Sequence, residues 1–521
     1  MATTTQSTVR PFTNEPISDY RRPENAAAMK AAIEKVRKEL GREYDLVIGG
    51  KRIRTAEKII SINPAKPSEV VGIHQKAGKE HVEPAMQAAL AAFEKWQYAP
   101  VEERTGVLFR TAEILRQRKF EFNAWLVLEV GKNYDEAEAD TCEAIDFLEL
   151  YARQALVLDA AVPVVQLPGE RDFLRYIALG VGAVISPWNF PNAIALGMTG
   201  ASLVCGNTVI LKPSSDSPTI AAKFFEALEE AGMPPGVVNF CPGSGATFGN
   251  AIVEHPKTRF IAFTGSKAVG LDIHEQAAKQ KPGQIWIKRT VLEMGGKDTI
   301  VVDADANLDA AVEGVTAAAF GFQGQKCSAC SRAVVHEAIY DQFLEKLKAS
   351  VEKLQIGLPE DNAKMGPVIN EGAMKSILNY IEVGKQEGRM ITGGARAAGE
   401  GYCIQPTVIA DIAPMARLSL EEIFGPVLAV VKAKDYDDAL AIANNTEYGL
   451  TGAVYTTSDA KIERAKREFH VGNLYINRKC TGAVVGAHPF GGFNMSGTDS
   501  KAGGVDYLYL FSQAKAIGHK L

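Results

Sequence analysis

The sequence predicts an α/β fold that contains two units of mainly parallel β-sheet. From about residue 181, short β-rich runs alternate with helical stretches of roughly 10 to 15 residues, which is the pattern of βαβ units. A second series of the same kind begins near residue 299. The length agrees with this division, because 521 residues are about three and a half times a ~150-residue domain and predict two or three domains.

Composition and charge exclude several classes of protein. Hydrophobic residues make up 46% and charged residues 23% of the chain, so it can bury a large core and is not disordered throughout. The 57 basic and 62 acidic residues give a net charge of −5, which argues against a nucleic-acid binder. No apolar run approaches the ~20 residues that span a bilayer, and the opening residues lack the apolar core of a secretory signal.

Cysteine usage indicates the compartment. The seven cysteines are an odd number spread along a long chain, so they do not form a disulfide framework and indicate a reducing environment. We therefore expect a cytoplasmic protein that does not enter a membrane.

The expected elements follow in chain order. Leu46–Ile53 predicts two short strands about a Gly-Gly turn, and four helical segments follow between residues 79 and 156. The first α/β series has strands at 181–186, 208–211, 237–240 and 259–264, with helices at 192–204 and 218–231. The second has a strand at 299–303 and helices at 308–320 and 339–353. The apolar run 505–511 predicts a terminal strand that covers a neighbouring element.

Cys327 is a candidate for chemistry, and the residues around it leave several interpretations open. It lies in the segment GQKCSA, where small and polar neighbours leave room for attack on a substrate. Cys327 and Cys330 are otherwise two ordinary half-buried cysteines, or a C-x-x-C pair. A redox pair lacks the usual context after an early strand. A structural zinc needs four ligands and no second pair stands at ligand spacing, so we expect no metal site.

One strand-to-helix junction favours phosphate binding. The segment Phe263–Gly270 ends a strand in Thr-Gly-Ser and opens a helix, where free N–H groups and the helix dipole attract an anion. Lys212, at the end of another predicted strand, could similarly reach a ribose or a phosphate. By contrast, Gly243–Gly249 has the spacing G-x-G-x-x-x-G, which does not match a dinucleotide fingerprint, and we interpret it as a turn.

Six segments in a fixed order resemble motifs of the aldehyde dehydrogenase superfamily. They are 185–191 (ISPWNFP), 211–214 (LKPS), 263–266 (FTGS), 292–297 (LEMGGK), 324–327 (GQKC) and 421–427 (EEIFGPV). The resemblance runs from about Glu43 to the C-terminus and implies a Rossmann-like NAD-binding domain, an α/β catalytic domain and a small β oligomerisation element. The implied boundaries are 1–160 with 181–293, then 294–480, and finally 161–180 with 481–521. A homodimer or homohexamer is expected.

The resemblance implies oxidation through covalent catalysis by Cys327. The thiol attacks an aldehyde to give a thiohemiacetal, hydride leaves to a nicotinamide, and the resulting thioester is hydrolysed. The side-chain amide of Asn189 and the N–H of Cys327 are expected to bind the oxyanion, and Glu293 to act as the base that activates water. Lys212 is included in this catalytic set. Because relatives that transfer the acyl group to coenzyme A usually lack the acid at Glu293, we expect a free carboxylate product.

A nicotinamide dinucleotide is the implied cofactor. By resemblance, the residues that bind it are Ser186, Pro187, Trp188, Lys212, Ser215, Gly265, Ser266, Glu422 and Phe424. NAD is expected, with NADP as a second cofactor, because Ser215 stands where many NAD-specific relatives have a glutamate that repels a 2′-phosphate.

Three further segments resemble the subgroup that oxidises L-glutamate γ-semialdehyde, which forms by hydrolysis of 1-pyrroline-5-carboxylate. They are 322–329, 477–483 with 488–492, and 496–504. By this resemblance, backbone N–H groups of Gly482 and Ala483 bind the substrate carboxylate together with the Ser328 hydroxyl. Phe490 packs on the substrate chain, and Glu143 lies near the substrate ammonium group.

The implied small-molecule reaction completes proline or arginine breakdown to glutamate. A proline dehydrogenase is then the expected partner that supplies the substrate. One alternative is a dehydrogenase of another semialdehyde, succinic or α-aminoadipic. Another is a non-catalytic protein that has kept the fold, against which the joint presence of Cys327, Glu293 and Asn189 counts.

Overall fold

The computed structural model describes residues 10–521, so the first nine residues of the predicted 1–160 segment lie outside the described residues. The helices are α1 Pro23–Arg37, α2 Val82–Trp96, α3 Val101–Gln117, α4 Lys119–Val130, α5 Tyr134–Leu158, α6 Ala193–Val204, α7 Pro218–Glu230, α8 Asn250–Glu254, α9 Lys267–Ala278, α10 Leu308–Phe320, α11 Tyr340–Val351, α12 Glu371–Glu387, α13 Arg417–Leu420, α14 Tyr436–Asn444 and α15 Asp459–Glu468.

The strands are β1 Arg42–Tyr44, β2 Leu46–Ile48, β3 Lys51–Ile53, β4 Lys58–Asn63, β5 Lys66–Gln75, β6 Val162–Pro163, β7 Glu170–Ala178, β8 Val181–Ile185, β9 Thr208–Lys212, β10 Val238–Phe240, β11 Phe260–Thr264, β12 Arg289–Glu293, β13 Thr299–Val302, β14 Arg332–His336, β15 Arg389–Thr392, β16 Thr407–Ala410, β17 Val427–Ala433, β18 Thr451–Tyr455, β19 Asn473–Ile476 and β20 Ser512–Lys520.

The first α/β series forms a seven-stranded sheet, which we call the N-terminal sheet. Its strand order is β12-β11-β8-β9-β10-β2-β3, and the first five strands of this order are parallel. The predicted hairpin of β2 and β3 continues the sheet in antiparallel fashion, with Gly49 and Gly50 at φ +60° and +78° in the turn. Strand β8 is buried at every residue, as expected for a parallel strand that is covered on both faces.

The second series forms another seven-stranded sheet, the C-terminal sheet, in the order β15-β16-β17-β14-β13-β18-β19. All its neighbouring strands are parallel except the edge pair β15 and β16. Along β17, Val427, Ala429 and Val431 join one apolar cluster, whereas Leu428 and Val430 join another. This alternation shows that helices cover both faces of the sheet, and the predicted α/β class is confirmed.

Two smaller sheets complete the fold. Strands β1, β5 and β4 form one that the sequence did not predict, and β20, β7 and β6 form an antiparallel sheet at the periphery. Strand β20 pairs with β7 over nine residue pairs, from Ser512 with Ala178 to Lys520 with Glu170. Strands β6 and β7 lie within the predicted 161–180 segment and pair with each other, and the role of this segment in assembly stays a prediction. Within 481–504, residues 482–485, Phe490 and Ala502 instead line the cavity described below.

The predicted terminal strand at 505–511 is wrong. Tyr507–Phe511 forms a 3₁₀ turn, and the strand follows it as β20. Tyr507, Leu508 and Phe511 enter the core around the N-terminal sheet, whereas Val505 and Tyr509 stay exposed. The Tyr507 ring stacks on Tyr151 with centroids 5.4 Å apart. Burial of two aromatic rings favours a compact turn over an extended, half-exposed strand.

Candidate active site

A cavity of about 350 Å³ lies between the two large sheets, within the usual size range of small-molecule sites. It brings together residues that are up to 493 positions apart in the sequence. Among the predicted site residues, those that line it are Glu143, Glu293, Cys327, Ser328, Gly482, Ala483 and Phe490. Asn189 is buried, and Lys212 does not line this cavity.

The segment that carries Cys327 is strained and tightly held. Phe322, Gln323 and Gly324 are successive left-handed residues with φ of 48°, 55° and 66°. Left-handed backbone costs about 1–3 kcal/mol for each residue that is not glycine, so the surroundings must enforce it. The Gln323 side chain donates to the carbonyl of Pro367 at 2.8 Å, and a Cβ on Gly324 would lie 2.4 Å from the carbonyl oxygen of Gly425. The loop is thereby rigid next to the half-buried thiol.

Electrostatics hold the Cys327 thiol in its neutral form. Burial raises the pKa of Cys327 well above its usual range, and the carboxyl groups of Asp298, Glu422, Glu293 and Glu143 raise it further. Attack on an aldehyde therefore requires that the thiol proton be removed as the bond forms. Nearby Cys330 is buried, and the part of the chain described contains no group of three or more side chains arranged to hold a metal ion.

Glu293 ends β12 and faces the cavity with its carboxylate bound on one side. The Ser500 hydroxyl and the backbone N–H of Gly492, at 3.1 Å, both donate to it. Burial raises the pKa of Glu293 to about 8, although these two hydrogen bonds oppose the shift. A carboxyl with this pKa can exchange a proton near neutral pH. Sequence reasoning missed Ser500, although it lies in a segment quoted for the resemblance.

Asn189 ties the turn before α6 to the nucleophile segment. Its side-chain Nδ2 donates to the carbonyl of Gln325 at 3.1 Å, two residues before Cys327. An amide nitrogen carries two hydrogens, so the second remains for another acceptor. This position fits the predicted oxyanion donor.

A buried ion pair, which sequence reasoning also missed, supports both segments. Lys132 donates to Asp140 at 2.9 Å, and its ammonium group lies 3.9 Å from the Phe190 ring centroid and 5.0 Å from that of Phe322. Asp140 also accepts from the N–H of Ala193 at 2.8 Å, at the start of α6. Burial lowers the pKa of Lys132 and raises that of Asp140. A lysine after a helix end usually lies in solvent, so no sequence signal pointed to it.

Predicted cofactor residues lie at the carboxyl edge of the N-terminal sheet. Ser186 follows β8, Lys212 ends β9, and Gly265 with Ser266 follows β11. Ser186 Oγ is buried and finds no hydrogen-bond partner among the described residues, which fits a group awaiting a polar ligand. Burial lowers the pKa of Lys212 to about 8, and its ammonium group donates to the carbonyl of Pro213 at 3.1 Å. Ser266 caps α9 through its side chain.

Two further predicted cofactor residues, Glu422 and Phe424, lie in the chain before β17. Glu422 accepts from the N–H of Gly296 at 3.1 Å, and burial raises its pKa to about 7. Phe424 has φ 58° and meets the Trp188 ring edge-on at 5.5 Å, next to Pro187. The two predicted aromatic residues are thus in contact.

Ser215 is exposed, and the adjacent Asp216 is half-buried. The Asp216 carboxylate accepts from Asn370 at 3.1 Å, so its hydrogen-bonding capacity is already partly used. Asn370 therefore holds one oxygen of this carboxylate, next to the position where NAD-specific relatives carry a glutamate.

The far end of the cavity carries the predicted substrate residues. Gly482 has φ +79°, and Arg478 donates to its carbonyl at 2.9 Å, which orients the turn. Phe490 is held by reciprocal backbone hydrogen bonds with Ala502 at 2.9 and 2.8 Å. Burial raises the pKa of Glu143 to about 8.

A second ion pair also lines this end of the cavity. Lys326 donates to Glu136 at 2.7 Å, and neither residue was predicted from the sequence.

Known proteins resemble this chain over nearly its whole length. The sequence model of the aldehyde dehydrogenase family matches residues 52–517. The 1-pyrroline-5-carboxylate dehydrogenase of Geobacillus thermodenitrificans is 58% identical over 510 residues, which is 98% of this chain and 99% of that protein. The relative of the same name from Bacillus cytotoxicus is 56% identical over 511 residues, again 98% of this chain and 99% of that one.

Solved structures agree as well. A 1-pyrroline-5-carboxylate dehydrogenase from Thermus with bound NAD has a TM-score of 0.97 at 51% identity, covering 99% of this chain and 100% of that one. Proline utilization A from Bdellovibrio bacteriovorus has a TM-score of 0.96 at 43% identity, covering 98% of this chain and 53% of that one. This chain belongs to the aldehyde dehydrogenase family.

Proposed function

We propose that this enzyme oxidises L-glutamate γ-semialdehyde to L-glutamate with NAD as the hydride acceptor, completing the breakdown of proline or arginine. The observation that carries the proposal is a single cavity in which a half-buried thiol, a raised-pKa carboxyl and the Gly482 turn lie together. The names of the relatives, and the NAD bound in the Thermus structure, support this substrate and cofactor.

In the proposed mechanism, the Cys327 thiol loses its proton to water as its sulfur attacks the aldehyde carbon, and the carbonyl oxygen becomes an oxyanion. The free N–H of the Asn189 amide and the backbone N–H of Cys327 stabilise that charge. Bound NAD supplies the hydride acceptor. The rigid left-handed segment 322–324 keeps the thiol in place, so little reorganisation is needed at the moment of attack.

Glu293 then serves the hydrolysis of the thioester on Cys327. In its ionised form it accepts a proton from water while the water attacks the acyl carbon. Ser500 and Gly492 hold the carboxylate in position and favour the ionised form. The cysteine thiol is released with the carboxylate product.

The substrate end suits an amino-acid aldehyde. Raised pKa values keep Glu143 and Glu293 largely neutral at pH 7, which reduces repulsion of the substrate α-carboxylate. The Ser328 hydroxyl and the backbone at Gly482 and Ala483 offer donors for that group. Both features suit any aldehyde that carries a carboxylate, and the names of the relatives favour L-glutamate γ-semialdehyde over succinic semialdehyde.

We also propose that the substrate comes from a proline dehydrogenase. The relative named proline utilization A is nearly twice as long as the part that this chain matches, so that protein carries further sequence beside its dehydrogenase-like part. Assembly as a homodimer or homohexamer and a cytoplasmic location stay predictions. In residues 10–521, no helix combines the length and apolar composition needed to cross a bilayer.

The test is NADH formation with 1-pyrroline-5-carboxylate, succinic semialdehyde, α-aminoadipic semialdehyde and propanal, with NADP replacing NAD in a parallel series. We expect the highest kcat/KM with 1-pyrroline-5-carboxylate, a rise in its KM in Ser328→Ala, and a higher kcat/KM with NAD than with NADP. Preference for propanal or for another semialdehyde would refute the proposed substrate.

A further inference from the structure

The N-terminal arm, defined here as residues 10–20, forms part of the cavity wall. Asn14, Glu15 and Ile17 line the same cavity as Cys327. The match to the aldehyde dehydrogenase family model covers residues 52–517, so the arm lies outside the matched part. A wall built outside that part can carry a feature that distinguishes one substrate from another.

Asn14 joins the two sides of the substrate end. Its side-chain Nδ2 donates to the Asp146 carboxylate at 2.8 Å and to the carbonyl of Val485 at 3.0 Å. Asp146 lies on α5 one turn after Glu143, and Val485 lies two residues after Ala483. One side chain therefore bridges the helix of the predicted ammonium site and the turn of the predicted carboxylate site.

The arm itself is fixed without help from the substrate. The backbone N–H of Glu15 donates to Asp146 at 2.6 Å, and that of Ser18 donates to Glu138 at 2.8 Å. Tyr20 is buried and donates to the same Glu138 at 2.7 Å. These bonds hold Asn14 at a defined position relative to α5 before any ligand binds.

The turn that Asn14 reaches needs such support. Gly482 and Val484 are exposed, and Gly482 has a left-handed backbone that other residues rarely adopt. Backbone N–H groups select an anion only when their directions are fixed, because ordering a mobile turn opposes binding.

We propose that Asn14 is a positioning residue that holds the 482–485 turn against α5, and that the N-terminal arm thereby favours aldehydes with an α-carboxylate. The proposal rests on the proposed function and adds a determinant of its specificity. Asn14 acts through the turn and not on the reacting atoms, so its loss alters substrate affinity and leaves the chemical steps intact.

The experiment compares Asn14→Ala, Asn14→Asp and the exposed neighbour Thr13→Ala as a matched control. Loss of one or two hydrogen bonds predicts a rise of about 5- to 30-fold in the KM for 1-pyrroline-5-carboxylate in Asn14→Ala, with kcat changed less than about twofold. Asn14→Asp keeps the shape but removes the donor and faces Asp146 with a like charge, so its KM rises at least as much. The kcat/KM for propanal stays within about twofold, and Thr13→Ala matches the wild type.

Binding of L-glutamate, followed by calorimetry, provides a readout that does not depend on turnover. We expect its Kd to rise in parallel with the KM in both Asn14 variants. An unchanged KM, an equal loss of kcat/KM with propanal, or wild-type behaviour of Asn14→Asp would overturn the role of Asn14 while leaving the proposed function intact. A wild-type enzyme that prefers propanal and does not bind L-glutamate would refute both proposals.

Discussion

The space between the two seven-stranded sheets, which holds the cavity, is called the cleft here. Strands of the N-terminal sheet end at this cleft, whereas strands of the C-terminal sheet begin at it. Strands β8, β9, β11 and β12 of the N-terminal sheet end at the cleft, so Ser186, Lys212, Ser266 and Glu293 lie at their carboxyl ends. In the C-terminal sheet, Cys327 lies shortly before β14, Lys297 before β13, and Glu422 before β17. These three neighbouring parallel strands thus begin at the cleft.

The two sheet edges that border the cleft also differ in backbone strain, which is recognised by positive φ in residues other than glycine. In residues 10–521, eight residues other than glycine have positive φ, and five of them are Asn or Asp, which tolerate it. The other three are Phe322, Gln323 and Phe424, all in segments that lead into the C-terminal sheet. Ligands usually bind at the carboxyl ends of parallel strands, so that rule locates the cofactor side. The nucleophile side instead depends on strained loops that enter strands.

Replacement of Cys327 is the most direct test of the C-terminal sheet edge, where the strained loops lie. Cys327→Ala should lower kcat by at least about 10⁴-fold, because no other group can form the thioester, with an unchanged unfolding temperature. Steady-state NADH formation and thermal unfolding are the measurements. Residual activity within about tenfold of the wild type would remove the covalent role from that edge.

Replacement of Glu293 tests the edge of the N-terminal sheet that borders the cleft. Glu293→Gln should lower steady-state kcat by about 10²- to 10⁴-fold, because thioester hydrolysis loses its base. It should keep a burst of one NADH per site, since attack and hydride loss precede hydrolysis. Rapid mixing with NAD and substrate measures the burst. Loss of the burst would show that Glu293 acts already on the thiol.

The pH profile gives a second view of Glu293. Because its pKa is raised to about 8, the carboxylate form that accepts a proton increases as pH rises from 6 to 9. In the wild type, kcat should rise over this range with its midpoint near pH 8 and level off at about pH 9. The same limb should be absent in Glu293→Gln, and a limb that persists there would assign the titration to another group.

A matched pair of glycine variants compares the edges themselves. A Cβ on Gly324 would lie 2.4 Å from a backbone oxygen at φ +66°, whereas one on Gly265 would meet the Phe263 ring at 2.5 Å, a side chain that can move. We expect Gly324→Ala to lower kcat about 100-fold by displacing Cys327, since a shift of about 1 Å is enough for this. Gly265→Ala should change kcat less than about tenfold. Equal losses would show that both edges are equally rigid.

The smallest effect is expected for Ser186. Its buried hydroxyl has no partner among the described residues, so Ser186→Ala removes only a bond to the bound dinucleotide. We expect a rise of about fivefold in the KM for NAD with unchanged kcat. A change confined to kcat would place the hydroxyl near the chemistry instead.

Local sequence patterns predicted most of the fold. The helices at 193–204, 218–230 and 308–320 lie within a residue of their predicted bounds, because apolar periodicity and helix caps act over a few residues. The predicted strand at 505–511 was wrong because an apolar run of seven residues fits a buried turn as well as a strand. Only packing against the neighbouring aromatic rings decides between the two structures. The roles of the site residues that were taken from motifs stay predictions.

The sequence by itself determined the α/β class, the family and the candidates Cys327, Glu293 and Asn189, since these follow from short patterns read in order. Only the tertiary structure decided which residues of those distant segments come into contact. The Lys132–Asp140 pair contacts both the turn before α6 and the nucleophile segment, and Asn14 bonds to a carbonyl 471 residues away. Such contacts arise when packing brings distant segments together, and none of these three residues lies in a motif that would signal them.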